Sequence, residues 1–310
     1  MQAAASCFSL PLFMEHTEHH IDCPVCGSSQ IAPVLKAKDY TVSGEIFEIW
    51  QCEDCKLRFT QDIPEQHSIG KYYQSTDYIS HSETKKGLVN SLYHLVRKRT
   101  LHSKRRLIEK LTGQKSGQLL DIGCGTGSFI YEMKQHGWNV CGLEPDAGAR
   151  KKAETVYGLS TEPIEVFFNL PEKNFDVITL WHVLEHVHEL HDYLQQLRRL
   201  LKPGGILIIA VPNYTSKDAT HYKAHWAAYD VPRHLYHFSP ESMERLTRQH
   251  NFKLTAIQPM WFDSFYVSML SEKYKNGKGN LPAAFLTGGF SNLNALQKRK
   301  QCSSLIYILS

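Results

Sequence analysis

The chain lacks any apolar run that approaches the roughly 18 residues needed for a membrane-spanning helix. Its first 13 residues are mildly apolar but have no basic stretch at their start, so they fit a secretory signal poorly. Internal repeats and low-complexity tracts are also missing from the sequence. We therefore expect a soluble cytoplasmic protein in which residues 1–20 are disordered or only loosely packed.

A strong charge of either sign is missing too. The 35 Lys and Arg residues and 31 Asp and Glu residues leave a net charge of +4 at pH 7. Nucleic-acid-binding domains usually carry a stronger basic footprint, so composition leaves the substrate class open. With 310 residues, the chain is long enough for one large core and a small additional module. We expect two domains.

Half of the eight cysteines form two Cys-x-x-Cys pairs, which are Cys23 with Cys26 and Cys52 with Cys55. In a chain without an export signal, such pairs more often bind metal than form disulfides. Two pairs supply four thiolates to one tetrahedral zinc ion, and a site with four protein ligands is structural. We predict a zinc ribbon over residues 21–62. The alternative is four ordinary buried thiols.

After a connector and a long helix over 63–113, predicted strands and helices alternate. The strands are 118–122, 139–143, 175–180, 205–211, 252–260 and 303–309, and the helices are 88–111, 128–136, 147–157, 188–201 and 240–250. Strands separated by helices predict right-handed crossovers and a mostly parallel sheet covered on both faces. Residues 114–310 are therefore expected to form one α/β domain.

A glycine loop follows the first of these strands, in the sequence Asp121-Ile-Gly-Cys-Gly-Thr-Gly127. Glycines allow a sharp turn and a close approach of the backbone to a ligand. The third glycine comes one residue too early for the G-x-G-x-x-G dinucleotide fingerprint, and no Gly-Lys-Ser/Thr follows as in a P-loop. Taken alone, the loop is equally compatible with a simple tight turn.

The second strand ends at Glu144, which follows Asp121 by 23 residues. A carboxylate at this place can accept hydrogen bonds from both ribose hydroxyls of an adenosine. An acidic residue here favours a nucleoside-containing ligand over a simple turn.

Three ordered segments, LLDIGCGTGSF, FDVITLWHVLEHV and LRRLLKPGGILIIAVPN, resemble the class I S-adenosylmethionine-dependent methyltransferases of the broad type 23 and type 11-like grouping. The resemblance implies a Rossmann-like fold with a seven-stranded, mostly parallel sheet flanked by helices. It also implies a set of cofactor-binding residues, which are Asp121, Gly123, Cys124, Gly125, Gly127, Glu144, Pro145, Trp181 and His182. The family's usual acidic adenine contact is not evident, because the segment 161–164 is irregular.

The segment WAAYDVPRHLYHFSP, after the fifth strand, concentrates polar residues where an acceptor would bind. Its candidates for catalysis are His234 and His237 as general bases, Asp230 as the group that orients a histidine, and Arg233 as an anion-binding residue. The alternatives are packing roles for the histidines and a simple pairing of Arg233 with Asp230. Tyr72, Tyr73, Tyr78 and His81 of the connector are further candidates to close the pocket or pack in the core. For Glu185 and His186, a role at a helix start or in packing is expected.

The leading hypothesis is an S-adenosylmethionine-dependent methyltransferase that acts on a small-molecule, sugar or glycan-type acceptor. A second hypothesis is an RNA methyltransferase that holds RNA with the ribbon and the basic stretch 97–106, although a solvated helix face that needs no partner is the favoured explanation of that stretch. A third is a module that binds the cofactor without catalysis.

Overall fold

The computed structural model describes residues 17–74 and 88–310. The predicted disorder of 1–20 lies largely outside these ranges, as do Tyr78 and His81. Among the described residues, no helix has both the length and the apolar character required to cross a membrane.

The N-terminal region is built from short strands and turns, as predicted for a ribbon. Its strands are β1 (Thr17–Glu18), β2 (Ile31–Lys38), β3 (Ile46–Cys52), β4 (Arg58–Thr60) and β5 (Ile63–Pro64). β2, β3 and β4 pair in antiparallel order, and β1 pairs with β5.

The rest of the chain alternates between helices and strands. Its first half contains α1 (Leu88–Thr112), β6 (Gln118–Ile122), α2 (Ser128–Gln135), β7 (Asn139–Leu143), α3 (Ala147–Tyr157), β8 (Phe175–Trp181), α4 (Leu190–Leu200), β9 (Leu201–Pro212) and α5 (Lys217–Tyr222). Its second half contains β10 (Tyr236–His237), α6 (Pro240–Gln249), β11 (Leu254–Pro259), α7 (Asp263–Asn276), α8 (Leu281–Gln297) and β12 (Ser304–Leu309).

The central sheet has the strand order β11-β12-β9-β8-β6-β7. β7, β6, β8 and β9 are parallel, whereas β12 runs antiparallel to both of its neighbours. The Rossmann-like fold is confirmed, but the sheet has six strands among the described residues and not the predicted seven. Beyond β7, only Glu162 makes a single parallel bridge to Leu143. The irregular segment around it does not form a ladder.

Local sequence explains where the helices that flank the sheet begin and end. The Asp146 side chain accepts a hydrogen bond of 2.7 Å from the Ala149 amide and so caps the N-terminus of α3. The same helix ends at Gly158, whose φ of 61° lies in the left-handed region that glycine adopts readily. α4 buries Leu194 and Leu197 completely, and this apolar face holds it against the sheet.

The ribbon and the α/β domain share a sheet and a core. β10 comes from the segment after β9, yet it pairs with β4 and extends the ribbon sheet to the order β10-β4-β3-β2. Leu57 and Phe59 of the ribbon are fully buried in the same cluster as Leu235 and Phe238. The ribbon is therefore packed into the α/β domain over a continuous apolar core.

No helix or strand is predicted for residues 261–302, where the structure has α7 and α8. These two helices form a hairpin in which α8 buries only small residues, Ala284, Gly288, Ser291 and Ala295. The two helices approach each other closely at Gly288, because a Cβ there would lie 3.0 Å from the Ser264 carbonyl oxygen on α7. A helix that buries small residues lacks the usual apolar signal for burial.

Candidate active site

The glycine loop connects β6 to α2 at the carboxyl edge of the parallel sheet. The strands β7 and β8 lie on opposite sides of β6 in the sheet. The loop is therefore at the point where the strand order reverses, which is where open α/β sheets bind ligands. At Gly123 (φ 69°), a Cβ would collide with the Val183 side chain in the loop after β8. At Gly125 (φ 54°), a Cβ would meet no atom within 4 Å. The first glycine lets two loops touch, and the second leaves open space beside the backbone.

Glu144 directly follows β7 and lies beside the glycine loop. We call the loop Gly123 to Gly127 together with Glu144 the glycine cradle. Its two carboxylate oxygens accept hydrogen bonds from the Gly125 amide at 2.8 Å and the Asp146 amide at 3.0 Å. Burial raises the pKa of Glu144, and these amide hydrogen bonds oppose that effect. The carboxylate is thus fixed against the glycine loop, and ribose binding by Glu144 stays a prediction. Pro145 follows it on the exposed side, and Cys124 is buried beneath the loop.

Asp121 is the penultimate residue of β6, just before the loop, and is 2% exposed. It accepts a hydrogen bond of 2.5 Å from the Thr179 hydroxyl on β8. Burial raises the pKa of the Asp121 carboxyl, and the ammonium of Lys104 opposes this rise. Lys104 reaches the site from α1, with its Nζ 4.0 Å from the centroid of the Trp181 ring. The sequence analysis missed Thr179 and Lys104 as neighbours of this cradle.

His182 follows Trp181 and has a φ of 59°, which is uncommon for a residue with a side chain. Its Nε2 lies 2.9 Å from the Asp263 carboxylate, and its Nδ1 lies 3.4 Å from the Glu185 carboxylate. Burial alone would lower the pKa of His182, but the two carboxylates raise it to about 10. His182 is therefore an imidazolium cation at neutral pH and cannot accept a proton there.

A cavity of about 560 Å³ lies next to this cradle. It is lined by residues from several elements: Tyr40, Thr41, His182, His186, Pro212, Ala227, Ala228, Asp230, His234, Asp263, Tyr266, Val267, Leu270, Lys273, Tyr274 and Ser304. Because His182 lines the cavity and directly follows Trp181, the loop after β8 is shared by cradle and cavity. A volume of this size suits a small molecule.

Two histidines from different loops meet at one side of this cavity. The Nδ1 atoms of His234 and His186 lie 2.9 Å and 3.0 Å from the carbonyl oxygens of Ala228 and Arg233. A carbonyl accepts only from a protonated nitrogen, so each ring carries its proton on Nδ1 when neutral and has a lone pair on Nε2. The ring centroids are 4.6 Å apart. Burial lowers the pKa of His186 to about 4, and a proton on His234 would reinforce this effect.

Glu185 lies beside these histidines in the turn Leu184–His186 and is fully buried. Burial alone would raise the pKa of Glu185, but the hydrogen bond and charge of His182, followed by His234 and His186, lower it. One ligand atom each from Glu185, His186 and His234 lies within 4.8 Å of the others, a spacing compatible with a shared cation or proton. The sequence predicts a helix-start or packing role for Glu185 and His186. Glu185 is fully buried, whereas His186 lines the cavity.

Arg233 does not point into the cavity. Its guanidinium is 1% exposed and pairs with Asp39 at 3.0 Å and with Asp230 at 2.6 Å. It also donates to the Tyr72 carbonyl oxygen at 2.8 Å. The prediction that Arg233 binds an anionic acceptor is therefore wrong, and the alternative pairing with Asp230 is what the structure shows.

The His237 side chain is also buried in the protein interior and does not line the cavity. It is 3% exposed, its Nε2 lies 3.2 Å from the Thr60 hydroxyl, and its ring packs against Tyr229. Burial lowers its pKa well below the ordinary value. Its position on β10 makes it part of the link between ribbon and α/β domain, so the prediction of His237 as a general base is corrected.

We predict that Arg233→Ala destabilises the protein by about 3 to 5 kcal/mol, because Asp39 and Asp230 would lose a buried cationic partner. Chemical denaturation followed by circular dichroism measures this change in the free energy of unfolding. Arg248→Ala is the matched control, since Arg248 pairs with Glu244 on the surface of α6 and should change stability little. Equal effects of the two substitutions would contradict the structural role of Arg233.

Of the connector tyrosines, Tyr72 packs in the core and Tyr73 lies near the cavity, which were the two roles considered for them. The Tyr72 hydroxyl donates to the Glu45 carboxylate at 2.6 Å, and its ring is buried in the core. The Tyr73 hydroxyl lies 3.0 Å from the Nδ1 of His186. Tyr73 thus contacts a residue that lines the cavity, whereas Tyr72 packs in the core.

The four paired cysteines converge on one point. The Sγ atoms of Cys23 and Cys55 are 3.5 Å apart, those of Cys26 and Cys52 are 3.6 Å apart, and all four lie within 4.8 Å of one another. A tetrahedral zinc ion with Zn–S bonds of ~2.3 Å would place its sulfurs about 3.8 Å apart. The cluster is compatible with a metal that joins the two Cys-x-x-Cys turns.

Three of the six Lys and Arg residues between positions 97 and 106 of α1 make contacts within the protein. Arg97 donates to the Ser128 hydroxyl, Lys104 lies over Trp181, and Arg105 pairs with Glu109 at 2.6 Å and Glu132 at 3.0 Å. These three cations are engaged within the protein, whereas Lys98, Arg99 and Arg106 are exposed. RNA binding by this helix therefore stays a prediction that rests on the three exposed cations.

Comparison with known proteins adds to this geometry. A family model described as a methyltransferase domain matches residues 94–257. The ubiquinone biosynthesis O-methyltransferase of Maricaulis maris (strain MCS10) is 32% identical over 153 residues, which cover 45% of this chain and 60% of that protein. The protein of the same name from Actinobacillus pleuropneumoniae serotype 7 (strain AP76) is 36% identical over 121 residues, with coverages of 35% and 51%.

The chain thus spans between half and three fifths of the length of these two relatives. Among solved structures, a SAM-dependent methyltransferase from Archaeoglobus fulgidus is similar, with 19% identity, a TM-score of 0.47, and coverages of 69% of this chain and 93% of that one. The family match includes the glycine loop, Glu144 and the loop after β8, and it extends over more than half of the 310 residues. The chain therefore belongs to the methyltransferase domain family.

Proposed function

We propose that the protein is an S-adenosylmethionine-dependent methyltransferase that methylates a hydroxyl group of a small-molecule acceptor. The observation that carries this proposal is the loop after β8, which forms one wall of the glycine cradle through Val183 and lines the adjacent cavity through His182. A donor in the cradle and an acceptor in the cavity would lie side by side. Proximity of this kind supplies a large part of the acceleration in a displacement reaction.

The cradle has the features that the cofactor requires. The open space at Gly125 admits a ligand against the backbone, and the carboxylate of Glu144 suits the ribose hydroxyls. Asp121, Gly123, Cys124, Gly127, Pro145, Trp181 and His182 are the remaining residues proposed to surround it. When bound, S-adenosylmethionine supplies an electrophilic methyl group on a sulfonium.

His234 is proposed to receive the acceptor's proton. The Ala228 carbonyl holds the Nδ1 of His234, and the lone pair on Nε2 is then free to accept from a hydroxyl in the cavity. As the acceptor oxygen gains the methyl group that S-adenosylmethionine would supply, His234 would take the hydroxyl proton on this Nε2. The Asp230 carboxylate, 4.0 Å from Nε2, faces the positive charge that this transfer creates.

The acceptor is proposed to be a small, partly apolar molecule with a hydroxyl group. Aliphatic and aromatic side chains such as Val267, Leu270 and Tyr274 form much of the cavity wall. The two relatives described above are named for O-methylation in ubiquinone biosynthesis, which agrees with an oxygen acceptor. The wall also carries hydrogen-bonding side chains such as Asp230, His234 and Ser304, so a sugar or glycan acceptor is the alternative.

Replacing His234 tests the proposal. His234→Gln should keep cofactor binding and lower turnover by about 10² to 10⁴, because the acceptor's proton would have no receiving group. Release of S-adenosylhomocysteine across a panel of small hydroxylated acceptors measures turnover, and calorimetry measures cofactor binding. His67→Gln is the control, because His67 is 72% exposed on the ribbon side. Undiminished turnover in His234→Gln would remove it from the mechanism, and cofactor binding without turnover in the parent protein would favour the non-catalytic module.

We also propose that Cys23, Cys26, Cys52 and Cys55 bind one structural zinc ion. The convergence of four sulfur atoms from two turns supports this assignment. Four thiolates fill a tetrahedral site, so the ion would stabilise the ribbon and leave no position open for water.

A further inference from the structure

The α7–α8 hairpin exposes an unusual set of apolar side chains. Six large residues of α8 are between 52% and 75% exposed: Leu281, Phe285, Leu286, Phe290, Leu293 and Leu296. At 100° per residue, these positions fall within one half of the helix circumference and form a continuous stripe. We call this stripe the docking face. Soluble proteins rarely leave such contiguous apolar surface uncovered unless it binds a partner or a membrane.

The opposite side of α8 is fixed to the protein. Its small residues pack on α7, where Gly288 allows close contact with Phe265. The Ser291 hydroxyl donates to the buried Asp218 carboxylate at 2.8 Å, and the Asn292 amide donates to the Trp261 carbonyl oxygen at 2.8 Å. These polar contacts fix the orientation of α8 about its own axis. The docking face is therefore presented outward by the fold itself.

The charges around the docking face have a single sign. Lys275 and Lys278 precede α8, while Lys298, Arg299 and Lys300 follow it, and all five are exposed. No Asp or Glu occurs anywhere from residue 273 to the C-terminus. Cations at both ends of an exposed apolar helix match the surface of an anionic bilayer, which attracts Lys and Arg by about 1 kcal/mol each.

This charge pattern also favours a membrane over a second copy of the chain as the partner that covers the docking face. Two copies meeting through the docking face would bring clusters of like charge close together, and no acidic residue in the hairpin's second half could compensate. Insertion across the bilayer is equally unsuited, because α8 has 17 residues and one side of it is bound to the protein. An apolar face flanked by cations fits a helix that lies in the plane of the lipid headgroups.

We propose that the docking face and its flanking cations bind the protein peripherally to anionic phospholipid membranes. The apolar side chains enter the boundary between headgroups and acyl chains, and the five cations contact lipid phosphates. This inference does not depend on the proposed chemistry. It does, however, connect to the cavity, because α7, on which α8 packs, supplies Tyr266, Val267 and Leu270 to the cavity wall.

Co-sedimentation of the full chain with vesicles tests the proposal. Vesicles of phosphatidylcholine with about 30% phosphatidylglycerol should bind the protein at least about tenfold more tightly than pure phosphatidylcholine, and high salt should weaken the binding. The combined substitution Leu286→Gln, Phe290→Gln and Leu293→Gln should reduce binding by about a hundredfold. Neutralising Lys275, Lys278, Lys298, Arg299 and Lys300 to Gln should remove the preference for anionic lipid.

A matched control replaces exposed apolar residues elsewhere. Ile46, Val156 and Phe168 are at least 50% exposed, and changing them to Gln should leave vesicle binding unchanged. Circular dichroism confirms that each variant is folded. Wild-type-like vesicle binding by the Leu286, Phe290 and Leu293 variant would overturn the proposal. So would a dimer in solution that dissociates in this variant, since a second copy would then cover the docking face.

Discussion

Gly125→Arg should weaken S-adenosylmethionine binding by at least about a hundredfold, which corresponds to roughly 2.7 kcal/mol. The arginine would project into the open space at Gly125, where the proposed cofactor approaches the backbone. Its guanidinium would also repel the positive sulfonium. A side chain at φ 54° adds strain of about 1 to 2 kcal/mol in the left-handed region. Isothermal calorimetry with the purified variant measures the affinity directly.

Gly158→Arg separates the loss of binding from the backbone strain. Gly158 has a φ of 61°, and a Cβ there would also meet no atom within 4 Å, but it ends α3 away from the cradle. Both variants should lose similar stability, and only Gly125→Arg should lose the cofactor. Unchanged affinity in Gly125→Arg, or equal loss in both variants, would contradict the placement of the cofactor in the glycine cradle.

Removing the proposed zinc ion should unfold the ribbon. Structural zinc sites contribute apparent binding free energies of about 10 to 16 kcal/mol at pH 7, more than the stability of most domains. Cys52→Ser should therefore yield protein with no bound zinc and a disrupted ribbon, whereas the parent protein should hold one ion per chain. Elemental analysis gives the zinc content, and circular dichroism with limited proteolysis follows the ribbon.

Cys141→Ser is the control for this experiment, because Cys141 lies in β7 and belongs to neither Cys-x-x-Cys pair. Its zinc content should equal that of the parent protein. Because β4 and β10 pair across the two regions, loss of the ribbon should also reduce the stability of the α/β domain. A metal-free protein that stays fully folded would overturn the assignment.

The parts of the site that could be predicted from sequence are those encoded by neighbouring residues. Three features depend only on short segments of sequence: the turn at Gly123 to Gly127, the acidic residue that follows β7, and the apolar strands. Their sequence patterns can be read without knowing which distant residues come into contact. The same holds for the Cys-x-x-Cys turns. Each of these predictions describes a strand end or a turn.

The rest of the site depends on contacts between distant residues. His182 meets Asp263 across 81 positions, and Arg233 meets Asp39 across 194. Nothing near Arg233 in the sequence distinguishes a buried arginine from one that binds an anion. The α7–α8 hairpin was missed for another reason, because α8 buries its small residues and exposes its large ones. Its hydrophobic pattern is the inverse of the usual surface helix.

The pairing of β4 with β10 has a consequence for synthesis of the protein. Thr60 precedes His237 by 177 residues, and at translation rates of ~5 to 20 residues per second this interval lasts roughly 10 to 35 s. During that time β4, which carries the apolar Phe59, pairs only with β3 and leaves its other edge open. Such edges readily join other chains. The nascent ribbon is therefore the segment for which a chaperone or early metal binding would matter most.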